Sequence, residues 1–110
     1  MPRRGEVWRV DFAAGRGSEQ GGVRPALVIQ NDVGNEYAAT TIVAAITSRI
    51  KPYPVTVVVG AGKAGLKRRS MINLAQILTI DKSRLQRRMG LLDEQSMEEV
   101  SAAIRTSLAV

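Results

Sequence analysis

The sequence predicts a small, β-rich α+β domain in which a curled sheet or barrel carries helices late in the chain. Short runs rich in Val, Ile, Thr and Ala recur through the first 80 residues, with glycine- or asparagine-containing turns between them. Helical signals, by contrast, are confined to the residues after position 80. Closely spaced short strands followed by helices are typical of a compact, barrel-like architecture.

The first half of the chain predicts three strands. "EVWRVDF" at residues 6–12 places apolar anchors between polar residues, and residues 13–22 follow as a Gly-, Ala- and Ser-rich loop. "RPALVIQN" at residues 24–31 predicts a second strand with Pro25 at its first residues, where strands tolerate proline. "NDVGNEY" then supplies turn chemistry. "TTIVAAIT" at residues 40–47 predicts a buried third strand.

The second half predicts two more strands and a glycine-rich turn between them. "VTVVV" at residues 55–59 and "SMINLAQILTI" at residues 70–80 are the strand-like runs. "GAGKAG" at residues 60–65 predicts the turn, and its glycines lack the spacing of a nucleotide-binding loop.

Two helices are predicted after residue 80. Asp81 is placed to cap a short helix over "KSRLQRRM" that Gly90 would stop. Asp93 is placed to cap the last helix. An apolar stripe at helical spacing runs along that helix and predicts packing against the core or a subunit; it consists of Met97, Val100, Ile104 and Leu108.

Length and composition indicate one globular domain over residues 1–110. The chain has no apolar run of the roughly 18 residues that a membrane span needs, and its start lacks the apolar core of a signal peptide. We therefore expect a cytoplasmic protein with no membrane partner. Cysteine and histidine are both absent, which removes disulfides, thiol chemistry and the commonest general acid–base residue. An enzyme of this composition is expected to work without histidine, metal or cofactor.

The charge is positive and unevenly distributed. The formal net charge is +6, from 16 Lys and Arg against 10 Asp and Glu. Residues 49–88 hold ten of the basic residues and one acid, whereas residues 93–99 hold four acids and no base. A polyanionic partner is one explanation, because Lys and Arg displace condensed counterions from phosphates. A solvated basic surface is the other, and charge alone does not separate the two.

Arg24 and Thr47 each stand at the end of a predicted strand, beside residues suited to phosphate chemistry. Because Pro25 follows it, Arg24 is restricted to extended backbone. Thr47 and Ser48 supply two hydroxyls, and Arg49 follows directly. An arginine and a hydroxyl held near cations can bind and polarise a phosphodiester. Spacing alone leaves open the alternative that Arg24 faces solvent and the hydroxyls merely end a strand.

Five segments, in chain order, cover nearly the whole sequence: "RRGEVWRVDF", "GSEQGGVRPALVIQND", "TTIVAAITSRI", "INLAQILTIDKSRL" and "VSAAIRTSLA". Together they resemble the MazF/PemK family of toxin–antitoxin endoribonucleases. The resemblance implies an SH3-like β-barrel with short helices and a C-terminal helix, working as a homodimer. It also implies metal-independent cleavage of single-stranded RNA at a short recognition sequence, through 2′-OH attack, and control by a cognate acidic antitoxin.

The resemblance carries over to individual positions. The family's catalytic arginine falls on Arg24 and its catalytic threonine on Thr47. Substrate contacts are implied at six further positions: Ser18, Glu19, Gln20, Ser48, Lys51 and Gln76. Where some members carry an active-site arginine and aspartate before "TID", this chain has Asn73 and Ala75, so its sequence specificity stays open.

Two other functions remain as alternatives. The basic stretch would suffice for an RNA-binding module without catalytic activity. A gyrase poison of the related CcdB type is the second alternative. Those toxins rely on a tryptophan near the chain end, whereas the one tryptophan here is Trp8 and the chain ends "RTSLAV".

Overall fold

The protein is a six-stranded antiparallel sheet carrying a C-terminal helix, and the computed structural model describes residues 1–12 and 22–110. The strands are β1 (Glu6–Asp11), β2 (Val23–Val28), β3 (Thr40–Thr47), β4 (Thr56–Val59), β5 (Ser70–Asp81) and β6 (Leu85–Leu91). The helices are α1 (Asp32–Tyr37) and α2 (Glu94–Leu108). The spatial order of the strands is β4-β5-β3-β2-β1-β6. The predicted β-rich α+β class is confirmed.

The sheet curls so that the turn after β4 meets β6 at the opposite edge. Two glycines permit this close approach. A Cβ on Gly65 would lie 2.2 Å from the backbone oxygen of Met89, and one on Gly90 would lie 2.5 Å from the carbonyl carbon of Ala64. Gly65 also has a φ of +77°, which favours glycine. The backbones of the two edge regions are therefore in direct contact, and the fold is barrel-like.

The predicted helix over residues 82–89 is wrong. Asp81 does act as a cap, since its side chain accepts a hydrogen bond of 2.8 Å from the backbone N–H of Ser83. The capped element is a single 3₁₀ turn, Lys82–Arg84, and the chain then enters β6, which pairs with β1. Gly90 therefore lies inside a strand and does not stop a helix. Pairing with a distant strand overrode the local helix preference of this segment.

The segment "NDVGNEY", predicted as a turn, forms the short helix α1. Asn31 caps it, accepting a 2.8 Å hydrogen bond from Gly34 N–H. Asn35 is buried at 1% exposure, and its Oδ1 accepts a 2.7 Å bond from the Thr41 hydroxyl. The buried amide ties α1 to β3.

Buried apolar side chains lie on both faces of the sheet. Between the sheet and α2 the core includes Leu27, Ile46, Ile72, Leu74 and Val100. The other face buries a smaller cluster around Val10, Val28 and Val43. These two layers stabilise the sheet through the removal of apolar surface from water.

Helix α2 begins as predicted, because Asp93 accepts a hydrogen bond of 3.2 Å from Ser96 N–H. Of the predicted stripe, Val100 is buried and Met97 and Ile104 pack against the core, whereas Leu108 is 55% exposed. Across residues 1–12 and 22–110, no helix is both long and apolar enough to cross a membrane.

Candidate active site

An open cavity of about 310 Å³ lies at the start of β2 and the end of β3, beside the segment before β5 and the strand β6. Five basic side chains contribute to its lining: Arg9, Arg24, Lys67, Arg68 and Arg87. Three hydroxyl side chains also line it: Thr47, Ser48 and Ser70. Among the residues that the structure describes, no carboxylate lines this cavity. The arrangement suits an anion with several oxygens, because both the charge and the donors face one volume.

The structure brings Arg24 and Thr47 to this one cavity. The β2–β3 ladder pairs Val28 with Val43 and Ala26 with Ala45. Continued by two residues, the same register aligns Arg24 with Thr47. Directly opposite residues of an antiparallel pair share a face of the sheet. The ladder itself ends at Ala26 and Ala45, so it is the shared cavity that shows the two side chains to be close.

Local geometry explains how Arg24 is positioned. Pro25, which follows it, is the third residue of β2 and not its first, because the strand begins at Val23. It is paired with Arg9 of β1, while pairing with β3 starts only at Ala26. The missing N–H of the proline is thus tolerated where β2 lacks its second neighbour. Proline keeps the preceding residue in extended backbone.

Thr47 ends β3 in a turn that its own side chain supports. Its Oγ1 accepts a hydrogen bond of 3.1 Å from the backbone N–H of Arg49. Threonine hydroxyls often bond nearby backbone in this way where regular structure ends. The bond uses the oxygen as an acceptor, so the hydroxyl proton can still be donated to an anionic oxygen. Ser48, the next residue, is exposed and also lines the cavity.

The other predicted contact residues are placed differently. Lys51 is exposed in the segment between β3 and β4, and Gln76 is exposed within β5; neither lines the cavity. Ser18, Glu19 and Gln20 lie outside the described residues, as does all of the predicted loop over residues 13–22 except Gly22. The predictions for these five residues stay predictions.

Asn73, noted as a departure from some family members, has a structural contact. Its Oδ1 accepts hydrogen bonds from Ala75 N–H at 3.0 Å and from the Tyr53 hydroxyl at 3.2 Å. The β3–β5 register shifts at this point, from Ala45 opposite Asn73 to Ala44 opposite Ile77. Asn73 therefore supports a β-bulge, a local feature that re-aims the strand.

Sequence reasoning missed several lining residues. Lys67, Arg68 and Arg87 belong to the basic stretch, but only three of its ten bases line the cavity, and the stretch does not say which. Arg9 lies outside that stretch. The available signal was a basic residue inside the apolar–polar alternation of "EVWRVDF", which marks a solvent-facing strand position.

The buried carboxylate of Glu6 does not line the cavity and belongs to the fold. Burial raises the pKa of Glu6, but hydrogen bonds from Trp8, Arg3 and Arg88 outweigh it, so its pKa lies below the ordinary value. The Trp8 indole N–H donates to Oε1 at 3.0 Å, and Arg88 donates to Oε2 at 2.7 Å. This charged contact joins β1 to β6.

Comparison with known proteins identifies close relatives. The family model described as the PemK-like, MazF-like toxin of type II toxin–antitoxin systems matches residues 3–108. The chain is 48% identical to Endoribonuclease EndoA of Bacillus subtilis, with 98% of this chain and 95% of that protein covered. It is 46% identical to Endoribonuclease MazF of Staphylococcus saprophyticus, with 100% and 93% covered.

Solved structures share the fold over almost the full length. MazF from Deinococcus radiodurans superposes with a TM-score of 0.84 at 26% identity, covering 99% of this chain and 97% of that chain. A mycobacterial endoribonuclease, solved in complex with its cognate antitoxin, superposes with a TM-score of 0.85 at 24% identity, covering 100% and 97%.

Proposed function

This chain belongs to the PemK-like, MazF-like toxins of type II toxin–antitoxin systems and is an endoribonuclease, and we propose that the cavity containing Arg24 and Thr47 is where it cleaves single-stranded messenger RNA. The observation that carries this assignment is that both residues line one cavity with four further basic side chains. A cavity of this charge concentrates a polyanionic strand and holds a phosphodiester at its mouth.

The proposed reaction is a transesterification within the RNA. The 2′-oxygen attacks the adjacent phosphorus, and the bond from phosphorus to the 5′-oxygen breaks. The proton of the 2′-OH passes to solvent and the leaving 5′-oxygen takes one up, so the products are a 2′,3′-cyclic phosphate and a 5′-OH. DNA lacks the nucleophile and is expected to be inert.

Arg24 and Thr47 divide the work in this proposal. The Arg24 guanidinium, whose fork of N–H donors fits phosphate oxygens, stabilises the charge that builds on the phosphorane. The Thr47 hydroxyl donates a hydrogen bond to a non-bridging oxygen. Removing a preorganised donor such as the Arg24 guanidinium costs about 10²- to 10³-fold in cleavage rate.

Residues on the borders of the cavity are proposed to hold the flanking nucleotides. Ser48 lines the cavity and is in position to contact the strand. Lys51 and Gln76 are exposed near the ends of β3 and within β5, and they contact nucleotides farther from the cut. Ser18, Glu19 and Gln20 retain the substrate-binding role that the family resemblance gives them.

The proposed partners follow from the family and the charge. An acidic antitoxin segment competes with RNA for the basic cavity, since carboxylates and phosphates use the same guanidinium donors. The toxin works as a homodimer of residues 1–110, each chain forming a single domain, and it acts in the cytoplasm, where messenger RNA is translated.

Incubating the purified protein with a long single-stranded RNA in EDTA tests the function. We expect cleavage at defined sites, with 5′-OH and cyclic phosphate ends identified by their failure to ligate before enzymatic repair. The Arg24→Ala variant should fold normally and cleave no detectable RNA in the time that wild type needs to cleave the RNA completely. Retardation of RNA without cleavage would favour a non-catalytic binding module, and loss of activity in EDTA would contradict metal independence. A gyrase inhibition assay covers the remaining alternative.

Competition with the antitoxin is measured separately. An acidic antitoxin peptide is titrated against a fluorescent RNA bound to the Arg24→Ala variant, which holds the RNA without cutting it. We expect displacement of the RNA, and simultaneous binding of both ligands would reject the shared site.

A further inference from the structure

We propose that Arg9 and Arg87 form a second phosphate-binding site, which holds the phosphodiester next to the one being cleaved. The proposal rests on the proposed function, because it assigns this pair to the same RNA strand. Neither residue was implicated by the family resemblance, and both line the cavity that contains Arg24 and Thr47.

The register of the sheet sets the two arginines side by side. Arg9 of β1 is paired directly with Arg87 of β6, and on its other side Arg9 is paired with Pro25 of β2. Arg24 precedes that proline, and alternation along β2 directs it to the other face, so it is the shared cavity that brings the three arginines together. Directly opposite side chains in an antiparallel pair have Cβ atoms about 4.5–5.5 Å apart. Two guanidinium groups can therefore reach one anion together.

A β-bulge accompanies the pair. The β1–β6 register shifts immediately after it, from Arg9 opposite Arg87 to Val10 opposite Leu85. The shift leaves Gln86 as an extra residue on β6. Bulges increase local twist, re-aim side chains, and are frequent beside active sites.

The two like charges of this pair do not stabilise the fold. Like charges directly opposite each other destabilise a sheet. The neighbouring Arg88 shows how the same strand compensates a charge, since it forms a 2.7 Å salt bridge with Glu6. Among residues 1–12 and 22–110, no carboxylate forms a salt bridge with Arg9 or Arg87. Arg9 and Arg87 are thus two adjacent positive charges that no carboxylate of the described residues neutralises. In the proposal, an external anion neutralises them.

A phosphodiester of the bound RNA fits this pair better than a single carboxylate. Two guanidinium forks offer more donors than one carboxylate accepts, whereas a phosphate presents several oxygens around one centre. Successive phosphates of a single strand also follow one another at the spacing of nucleotides. A strand whose scissile phosphate lies at Arg24 therefore carries a neighbouring phosphate toward the arginine pair.

The test uses the cleavage site mapped for the wild-type protein. An RNA with a 2′-deoxy nucleotide at the scissile position cannot be cut, and single methylphosphonates remove the charge of one flanking linkage at a time. We expect wild type to lose affinity when one particular flanking linkage is neutralised. Arg9→Gln/Arg87→Gln should bind the unmodified RNA more weakly and show no further loss at that linkage. The slope of log K against log salt should flatten by about 0.7 for that phosphate.

A matched double variant removes the same charge elsewhere. Arg69 and Arg105 are exposed and line no part of this cavity, so Arg69→Gln/Arg105→Gln should keep the methylphosphonate effect of wild type. Thermal unfolding should show Arg9→Gln/Arg87→Gln at least as stable as wild type. Should the double variant fail to fold, the single Arg87→Gln variant carries the same comparison.

Three results would overturn the proposal. One is that Arg9→Gln/Arg87→Gln binds the RNA with the same affinity and the same salt slope as the control variant. Another is a methylphosphonate effect that persists in Arg9→Gln/Arg87→Gln. The third is weaker binding of an acidic antitoxin peptide with unchanged RNA binding, which would assign the pair to the protein partner. Failure of the proposed function is distinct, because wild type would then yield no cleavage site to map.

Discussion

A double-mutant cycle on Arg24 and Thr47 tests whether the two residues act on the same phosphate. Both line one cavity, and the β2–β3 register, extended two residues beyond its last pair, sets them opposite each other. The perturbations are Arg24→Ala, which removes the guanidinium, and Thr47→Val, which removes the hydroxyl at similar volume. If both groups bind one phosphate in the transition state, losing one weakens the contribution of the other. The effects of the two substitutions on cleavage should then be coupled.

The magnitudes follow from the kind of contact each residue makes. Loss of a preorganised donor to the developing charge costs about 10²- to 10³-fold for Arg24→Ala. A hydrogen bond to a charged group contributes about 1.5–3 kcal/mol, so Thr47→Val should cost about 10- to 150-fold. Independent effects would multiply to about 10³- to 10⁵-fold. Groups that share a partner show coupling of about 0.5–3 kcal/mol, so the double variant should lose less than the product.

The assay is single-turnover cleavage of a fluorophore–quencher RNA in EDTA, with enzyme in excess. Thr47→Ser is the matched control, since it keeps the hydroxyl and should retain most of the rate. Arg24 is exposed and Thr47 half-buried, so unfolding free energies should change by less than about 0.5 kcal/mol. Losses that multiply fully in the double variant would refute a shared phosphate. A Thr47→Ser rate as low as that of Thr47→Val would refute the hydroxyl's role.

Three further predictions concern the fold beneath the site. Because the pKa of Glu6 is depressed in the folded protein, its ionised carboxylate stabilises the fold above the ordinary glutamate pKa of about 4.3, and this stabilisation is lost as the pH falls through the folded pKa. The difference in unfolding free energy between wild type and Glu6→Gln, followed by Trp8 fluorescence, should therefore shrink in acid. A difference that stays constant with pH would contradict this. Gly62→Ala should cost about 1–2 kcal/mol, because an alanine there is strained by the left-handed backbone but its Cβ meets nothing within 4 Å. Gly65→Ala should cost well over that amount, because its Cβ would also lie 2.2 Å from the backbone oxygen of Met89. Equal urea midpoints for the two variants would argue against this contact. Leu74→Ala, at a fully buried position, should cost about 2–5 kcal/mol in urea unfolding, and a cost below about 1 kcal/mol would place Leu74 outside the core.

The family resemblance predicted Arg24 and Thr47 as the catalytic residues, and local signals at both positions agreed with it without deciding the matter. Arg24 is fixed by the proline that follows it, and Thr47 ends a long β-branched run. Their meeting in one cavity required the β2–β3 register. That register depends on which strands become neighbours, and no local pattern contains it.

The helix predicted over residues 82–89 was wrong for the same reason: its structure depends on a distant strand. Residues 85–89 contain good helix formers and were predicted as part of a helix, but they belong to β6, which pairs with β1 about 80 positions earlier in the chain. Arg88 reaches Glu6 across that pairing, and Gly90 admits the backbone of Ala64. Contacts at such separation outweigh a local preference of a few tenths of a kcal/mol per residue.

The sequence by itself determined the class of the fold, the capped last helix, the positive charge and the two residues expected at the phosphate. The first three depend on neighbours within a few positions or on composition, whereas the two residues follow from the family resemblance of the whole chain. Only the tertiary structure decided that β6 is a strand, which three bases of the long basic stretch line the cavity, and that Arg9 joins them. Those outcomes follow from strand order and register, since pairing of distant segments decides which side chains share a face and a cavity.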